Sequence, residues 1–130
     1  DVDQYALAEE AFPPPTLLYS DFPSQNAHAW RYAAFGPDGK LYVAIGADCN
    51  ICVEDQPFAS LQRLDLETLE VETVGRGIRN TVGFAWHPDT KQLWFTDNGR
   101  DRMGDNLPDC ELNVIPERND EPPHFGYPFC

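Results

Sequence analysis

Four cysteines, a run of carboxylates, one histidine and one arginine set the chemistry open to this chain. The cysteines are Cys49, Cys52, Cys110 and Cys130. No histidine follows Cys49-Asn50-Ile51-Cys52 at zinc-finger spacing, and the other two cysteines lie far away in different contexts, whereas zinc needs four ligands. Disulfides in an oxidising compartment, free thiols and a metal site stay open, with disulfides the best fit. A redox-active Cys-x-x-Cys usually opens a helix in a βαβ setting, and no such setting is present. The expected pairs are Cys49 with Cys52 and Cys110 with Cys130. The second would close a loop of about 20 residues, worth on the order of 3 kcal/mol. A partner for Cys130 outside this segment is the alternative, since Cys130 is the last residue. Asp101, Asp105, Asp109 and Glu111 make an acidic stretch. Their spacing does not fit an EF-hand, so a solvated loop and a cation site are both open. His28 stands near Trp30 and reads as a loop histidine. Arg79, in an acidic protein, reads as a salt-bridge partner.

The 130 residues carry a formal charge of -13, from 9 Lys+Arg against 22 Asp+Glu. Phosphate backbones and anionic membrane surfaces are repelled by such a chain, which excludes nucleic acid as a partner and argues against lipid. The acidic excess attracts cations. No apolar run reaches the length of about 18 residues that a membrane span needs. Residues 1–10 are acidic and do not read as a signal peptide, although a mature secreted chain would have lost one.

The elements that position these residues are read from turns and alternation. Residues 1–11 carry a weak helical pattern. Phe12-Pro13-Pro14-Pro15 forces an extended segment. Residues 17–19 suggest a short strand, and 20–27 a loop. From Ala33 the pattern sharpens. Ala34-Phe35-Gly36-Pro37-Asp38-Gly39-Lys40-Leu41-Tyr42-Val43-Ala44-Ile45 reads as strand, tight turn, strand. A second copy runs from Ala85-Trp86-His87-Pro88-Asp89-Thr90 to Leu93-Trp94-Phe95-Thr96-Asp97. Pro88 follows Pro37 by 51 residues and Leu93 follows Leu41 by 52. Between the copies, Leu61-Gln62-Arg63-Leu64-Asp65-Leu66 alternates like a strand, and Val71-Glu72-Thr73-Val74 continues after a turn. After Asp97 the chain reads as polar and irregular to Cys130, a length of loop usually tied to function. Hairpins repeated at this period predict an all-β fold, a partial β-propeller rather than a sandwich. At roughly 40 to 50 residues per four-stranded antiparallel blade, the chain holds about two to three blades. Open flanks should remain, so further blades on the same or another chain are expected partners.

Several motifs in order resemble one family. They are Gly77-Ile78-Arg79-Asn80-Thr81-Val82-Gly83-Phe84, Trp94-Phe95-Thr96-Asp97-Asn98-Gly99-Arg100-Asp101, Gly104-Asp105, Glu111-Leu112-Asn113 and His124-Phe125-Gly126-Tyr127-Pro128. Together they resemble the soluble pyrroloquinoline quinone (PQQ) dependent glucose/sorbosone dehydrogenases, most of all the sorbosone and pyranose branch. The resemblance covers residues 28–130. Residues 1–27 form a separate Pro-rich segment without it.

What the resemblance implies is a sugar or aldose dehydrogenase using PQQ and Ca²⁺. His28, eight residues before Gly36, would be the general base that takes the substrate hydroxyl proton, a role that suits an imidazole. Arg79 would contact PQQ, with Asn80 and Asn98 beside it, since a planar guanidinium suits carboxylates and quinone oxygens. The carbonyls of Gly99 and Arg100 would bind calcium, although the family often has proline at the position of Arg100. Glu111 and the carbonyl of Phe125 would hold a second calcium. Cys110 stands where the family has an acidic residue, which points to a local cross-link instead. The family also uses an early glutamine and later lysine and arginine residues on other blades, so the cofactor platform is not complete within 130 residues. His28, Arg79, Asn98 and Gly99 are expected at one end of the propeller channel, with Gly99 folding back across its loop to reach the others. A non-catalytic extracellular structural or adhesive module is the alternative, because fold does not fix function. A calcium-dependent lactonase-type hydrolase lacks the spacing. The cysteines point to a secreted, extracellular or periplasmic protein.

Overall fold

The structure is a computed structural model that describes residues 14–24, 27–116 and 121–129. It is all-β, a partial propeller of two antiparallel sheets. Strands β1 (Ala33–Phe35), β2 (Leu41–Ile45), β3 (Ser60–Leu64) and β4 (Val71–Arg76) form one sheet in sequence order. Strands β5 (Phe84–Trp86), β6 (Leu93–Asp97) and β7 (Glu111–Val114) form the second. No helix among the described residues is long and apolar enough to cross a membrane.

Local chemistry sets the turns. At Pro37-Asp38-Gly39 the N–H of Gly36 donates to Lys40 O at 2.9 Å, and Gly39 takes φ +77°, which glycine adopts without strain. The register Ala34↔Tyr42 follows. In the second copy the N–H of His87 donates to Gln92 O at 2.9 Å, giving Ala85↔Trp94. Between β3 and β4, the Asp65 carboxylate accepts the N–H groups of Glu67 and Thr68 at 2.9 and 3.3 Å. The two hairpins lie in separate sheets, as the repeat requires.

One face of each sheet builds the shared core. Tyr42, Ala44 and Leu61 meet Phe84, Leu93 and Phe95, with Val74, Trp86 and Ile115 around them. Trp86 stands edge-on to Tyr42 and Phe84 at 5.0 and 5.6 Å. Each such side chain contributes about 1.5–3 kcal/mol on full burial. The second sheet lacks a fourth strand among the described residues, and its far face carries Trp94 (37 % exposed) and Leu112 (66 % exposed).

Two readings are corrected. The stretch after Asp97 is not irregular throughout, because Glu111–Val114 pairs with β6 from Trp94↔Val114 to Asp97↔Glu111. Four residues give too little alternation to show in the sequence. Residues 17–19 form no strand: Leu17 and Leu18 are exposed and have no strand beside them. The helical pattern at 1–11 lies outside the described residues.

Past β7, residues 123–127 run beside the end of β4. Arg76 bridges His124 in parallel, the N–H of Phe125 donates to Arg76 O at 2.9 Å, and that of Tyr127 to Gly77 O at 3.0 Å. The returning chain thereby ties the second sheet to the first.

Candidate functional site

Strand direction decides which loops meet. β2 and β6 end, and β1 and β5 begin, at the end of the sheets opposite the two Pro-Asp turns. His28 precedes β1, the loop 46–59 follows β2, Arg79 precedes β5 and Gly99 follows β6. Gly99 therefore needs no fold-back. It leaves the antiparallel neighbour of the strand that Arg79 leads into, which returns it to the same end.

His28 and Arg79 meet around Gly46-Ala47. The Nδ1 of His28 lies 2.6 Å from Ala47 O, while the N–H of Ala47 donates to Arg79 O at 2.8 Å. A carbonyl only accepts, so the proton of a neutral His28 ring sits on Nδ1 and the lone pair on Nε2. Gly46 permits this approach: a Cβ there would lie 2.6 Å from His28 Cβ and 3.3 Å from Arg79 O. The loop holds the histidine's own segment as well. The N–H of Ala27 donates to the Asp48 carboxylate at 3.1 Å, and that of Asp48 to Glu54 Oε1 at 2.6 Å. Burial pushes the Glu54 carboxyl above its ordinary range, against the Asp48 N–H, which pulls it down. Its second oxygen is buried without a hydrogen-bond partner among the described residues.

Arg79 is 3 % exposed. Its Nε donates to Asn50 O at 2.9 Å, and Nη1 to Asn98 O and Gly99 O at 3.2 and 2.7 Å. Nη2 donates to Asn50 Oδ1 and Asp101 Oδ2, both at 2.8 Å. These five acceptors match the five N–H donors of a guanidinium. The backbone is held equally firmly. Asp97, buried, accepts the N–H of Arg79 at 3.0 Å and that of Asn80 at 2.7 Å, and the N–H of Asn98 donates to Asn80 O at 3.0 Å. Burial raises the Asp97 carboxyl above its ordinary value, and the two N–H groups oppose that rise.

Cys49 and Cys52 are joined as a disulfide, the first of the two expected pairs. Cys110 is exposed and unpaired among the described residues; Cys130, its expected partner, lies outside them. The ring rests on Tyr127, whose hydroxyl accepts the N–H of Cys52 at 2.9 Å and lies 3.7 Å from each sulfur.

The remaining positions fall in two groups. Asn98, Gly99 and Arg100 stand in the turn after β6, and a Cβ at Gly99 would meet Pro108 and the Asp109 carbonyl. Glu111 is exposed at the start of β7 and accepts from Asn113 Nδ2 at 2.9 Å. Phe125 packs edge-on to Phe95 at 4.8 Å, in the core. Among the described residues no three His, Cys, Asp or Glu side chains converge on a metal position. The Gly99 carbonyl does not fit a calcium ion, because the Arg79 guanidinium already caps it and would repel a divalent cation. For an anionic quinone the fit is better. Asp101 is the one exposed partner of Arg79, and its carboxylate marks where a ligand's carboxylate could take its place.

Asn50, Asp97 and Glu54 were missed by sequence reading. Asn50 lies inside the Cys-x-x-Cys spacing, which was its only signal.

No known family's sequence profile matches the chain. An uncharacterized protein of Borreliella burgdorferi is 36 % identical over 115 residues, covering 86 % of this chain and 30 % of that protein. An iodide structure of a Trichoderma reesei carbohydrate-active enzyme of family AA12 superposes with a TM-score of 0.70 at 19 % identity, over 81 % of this chain and 32 % of the enzyme. A calcium structure of the same family gives 0.61 at 21 % identity, over 71 % and 28 %. The chain thus spans about a third of each protein it matches, and its likeness to the two solved structures is one of fold.

Proposed function

We propose that this chain is part of a PQQ-dependent dehydrogenase that oxidises a sugar or aldose, of the glucose/sorbosone dehydrogenase kind. The observation that carries the reading is the meeting of His28 and Arg79 across Gly46-Ala47, from two different sheets, with Asn80 and Asn98 beside them. The fold likeness to carbohydrate-active enzymes supports it. A bound quinone supplies the two-electron acceptor for the substrate hydride. The chain's own part is proton handling and orientation. His28 Nε2 takes the hydroxyl proton, and Ala47 O fixes the tautomer that leaves Nε2 basic. Arg79 faces the quinone's carboxylates once Asp101 yields its place. Its guanidinium supplies positive charge at Gly99, so calcium has no part in the reading there. The rest of the platform comes from further blades, in keeping with relatives about three times as long. The Cys49–Cys52 disulfide suits a secreted or periplasmic setting.

One observation favours the non-catalytic module instead: all five Arg79 donors are engaged within the protein. Reconstituting the full-length chain with PQQ, with and without Ca²⁺, and adding a panel of aldoses separates the two. A sugar-dependent change in quinone absorbance is expected, abolished by His28→Ala with PQQ still bound. Failure to bind PQQ under either condition would leave the module reading in its place.

A further inference from the structure

We propose that Asn50, carried on the Cys49–Cys52 ring, is the positioning residue that sets the Arg79 guanidinium. Its consequence for quinone binding rests on the function proposed above, but the positioning itself does not. Two of the five guanidinium bonds go to Asn50, one to its carbonyl at 2.9 Å and one to its side-chain oxygen at 2.8 Å. The same Oδ1 accepts the N–H of Asp101 at 2.7 Å, and Nδ2 donates to Asp101 O at 3.2 Å. Asn50 therefore pairs with the Asp101 main chain in both directions, as a strand neighbour would, across 51 residues of sequence. A flipped amide would aim its NH₂ at two donors, so the network permits one orientation only.

The ring explains how a half-buried loop residue achieves this. Ile51, its neighbour inside the ring, is half exposed. The anchor is Tyr127, buried against Ala47 and Ala59, whose hydroxyl holds the N–H of Cys52 at 2.9 Å and whose own N–H donates to Gly77 O at 3.0 Å. Gly77 is two residues from Arg79. Tyr127 thus fixes the ring to the segment that carries the arginine, and the ring holds Asn50 against its guanidinium. Without the cross-link, the loop 46–59 would have to order Asn50 at a larger entropic cost.

The test uses ¹⁵N-labelled full-length chain and follows solvent exchange of the Arg79 Nη2–H protons by NMR, since Nη2 is the donor to Asn50 Oδ1. Wild type should exchange slowly. Asn50→Ala should exchange about tenfold faster, the scale of one lost charge-assisted hydrogen bond, with the amide spectrum otherwise dispersed. Asn50→Asp keeps the side-chain acceptor and should return most of the protection, which a merely structural role would not produce. Reducing the disulfide with a dithiol puts two electrons and two protons on the sulfurs, and the dithiol leaves as its own disulfide. That treatment should move exchange in the same direction as Asn50→Ala. If Asn50→Ala fails to fold, Asn50→Asp and the reduced wild type decide. Unchanged Nη2–H exchange in every folded variant and on reduction overturns the proposal. A parallel PQQ titration separates the two ideas: absence of PQQ binding by wild type defeats the proposed function, while the exchange data still decide the role of Asn50.

Discussion

Asp101 holds Arg79 from the solvent side, with its carboxylate 2.8 Å from Nη2 and its side chain 72 % exposed. An exposed ion pair is worth about 0.2–1 kcal/mol, so its removal changes a competing equilibrium by roughly 1.4- to fivefold. Asp101→Asn should therefore tighten PQQ binding to the full-length chain by about that factor, read by fluorescence titration. Weaker binding would show that Asp101 assists the ligand instead of competing with it. Asp97 supplies a pH signature. Its carboxyl is raised above the ordinary value, mainly by burial, so the native state takes up this proton before the unfolded chain does. Stability from this group is present below the unfolded value and lost as pH rises through the folded one. The stability of wild type relative to Asp97→Asn should accordingly improve on going from pH 7 to about pH 4.5, in urea unfolding at both values. A change of opposite sign would mean that the two N–H groups outweigh burial. At this scale the resemblance singled out His28 by its offset from Gly36 and Arg79 by the motif around it. It did not disclose Asn50 or Asp97, whose partners stand 17 to 51 residues away and depend on how two sheets meet.

The elements show where a reading by turns succeeds. Pro37-Asp38-Gly39 and Pro88-Asp89 each closed a hairpin where expected, because the turn chemistry is local. β7 escaped because its pairing is set by β6 and not by its own four residues. The placement of Gly99 was misread for a related reason. Neighbours in a hairpin reverse direction, so the end of one strand lies beside the start of the other. Gly46, at the exit of β2, is the element-scale test. A methyl group there would meet His28 and the Arg79 carbonyl. Gly46→Ala should lower stability by about 1–3 kcal/mol, the usual cost of overpacking, and shift the His28 ring resonances. Chemical unfolding checks the first and NMR the second. A variant as stable as wild type with unmoved His28 signals would show that the segment around His28 is loosely held.

Across the whole molecule, the two sheets are unequal. The first has four strands, and the second has three with Trp94 and Leu112 standing on its far face. Trp94 and Leu112 share this face, and a further blade, the partner expected from the repeat, would cover both. Hydroxyl-radical footprinting of the full-length protein should find Trp94 and Leu112 protected. Strong labelling of both would argue against a following blade. The number of sheets followed from the 51 to 52 residue repeat. What would cover the far face did not, because no strand among the described residues lies on it.

The guanidinium of Arg79 also bears on how such a protein can be rebuilt by recombination. Its acceptors come from both sheets, Asn50 from the loop after β2 and Asn98, Gly99 and Asp101 from the turn after β6. A chimera that inherits one sheet and replaces the other would keep the buried cation and lose part of its cradle, at about 1.5–3 kcal/mol for a lost hydrogen bond to a charged group. Grafts that respect strand boundaries but divide this pair should fold poorly, while grafts that move both sheets with the returning segment, residues 28–127, as a block should be tolerated. The heritable module here is a pair of neighbouring sheets with the arginine between them.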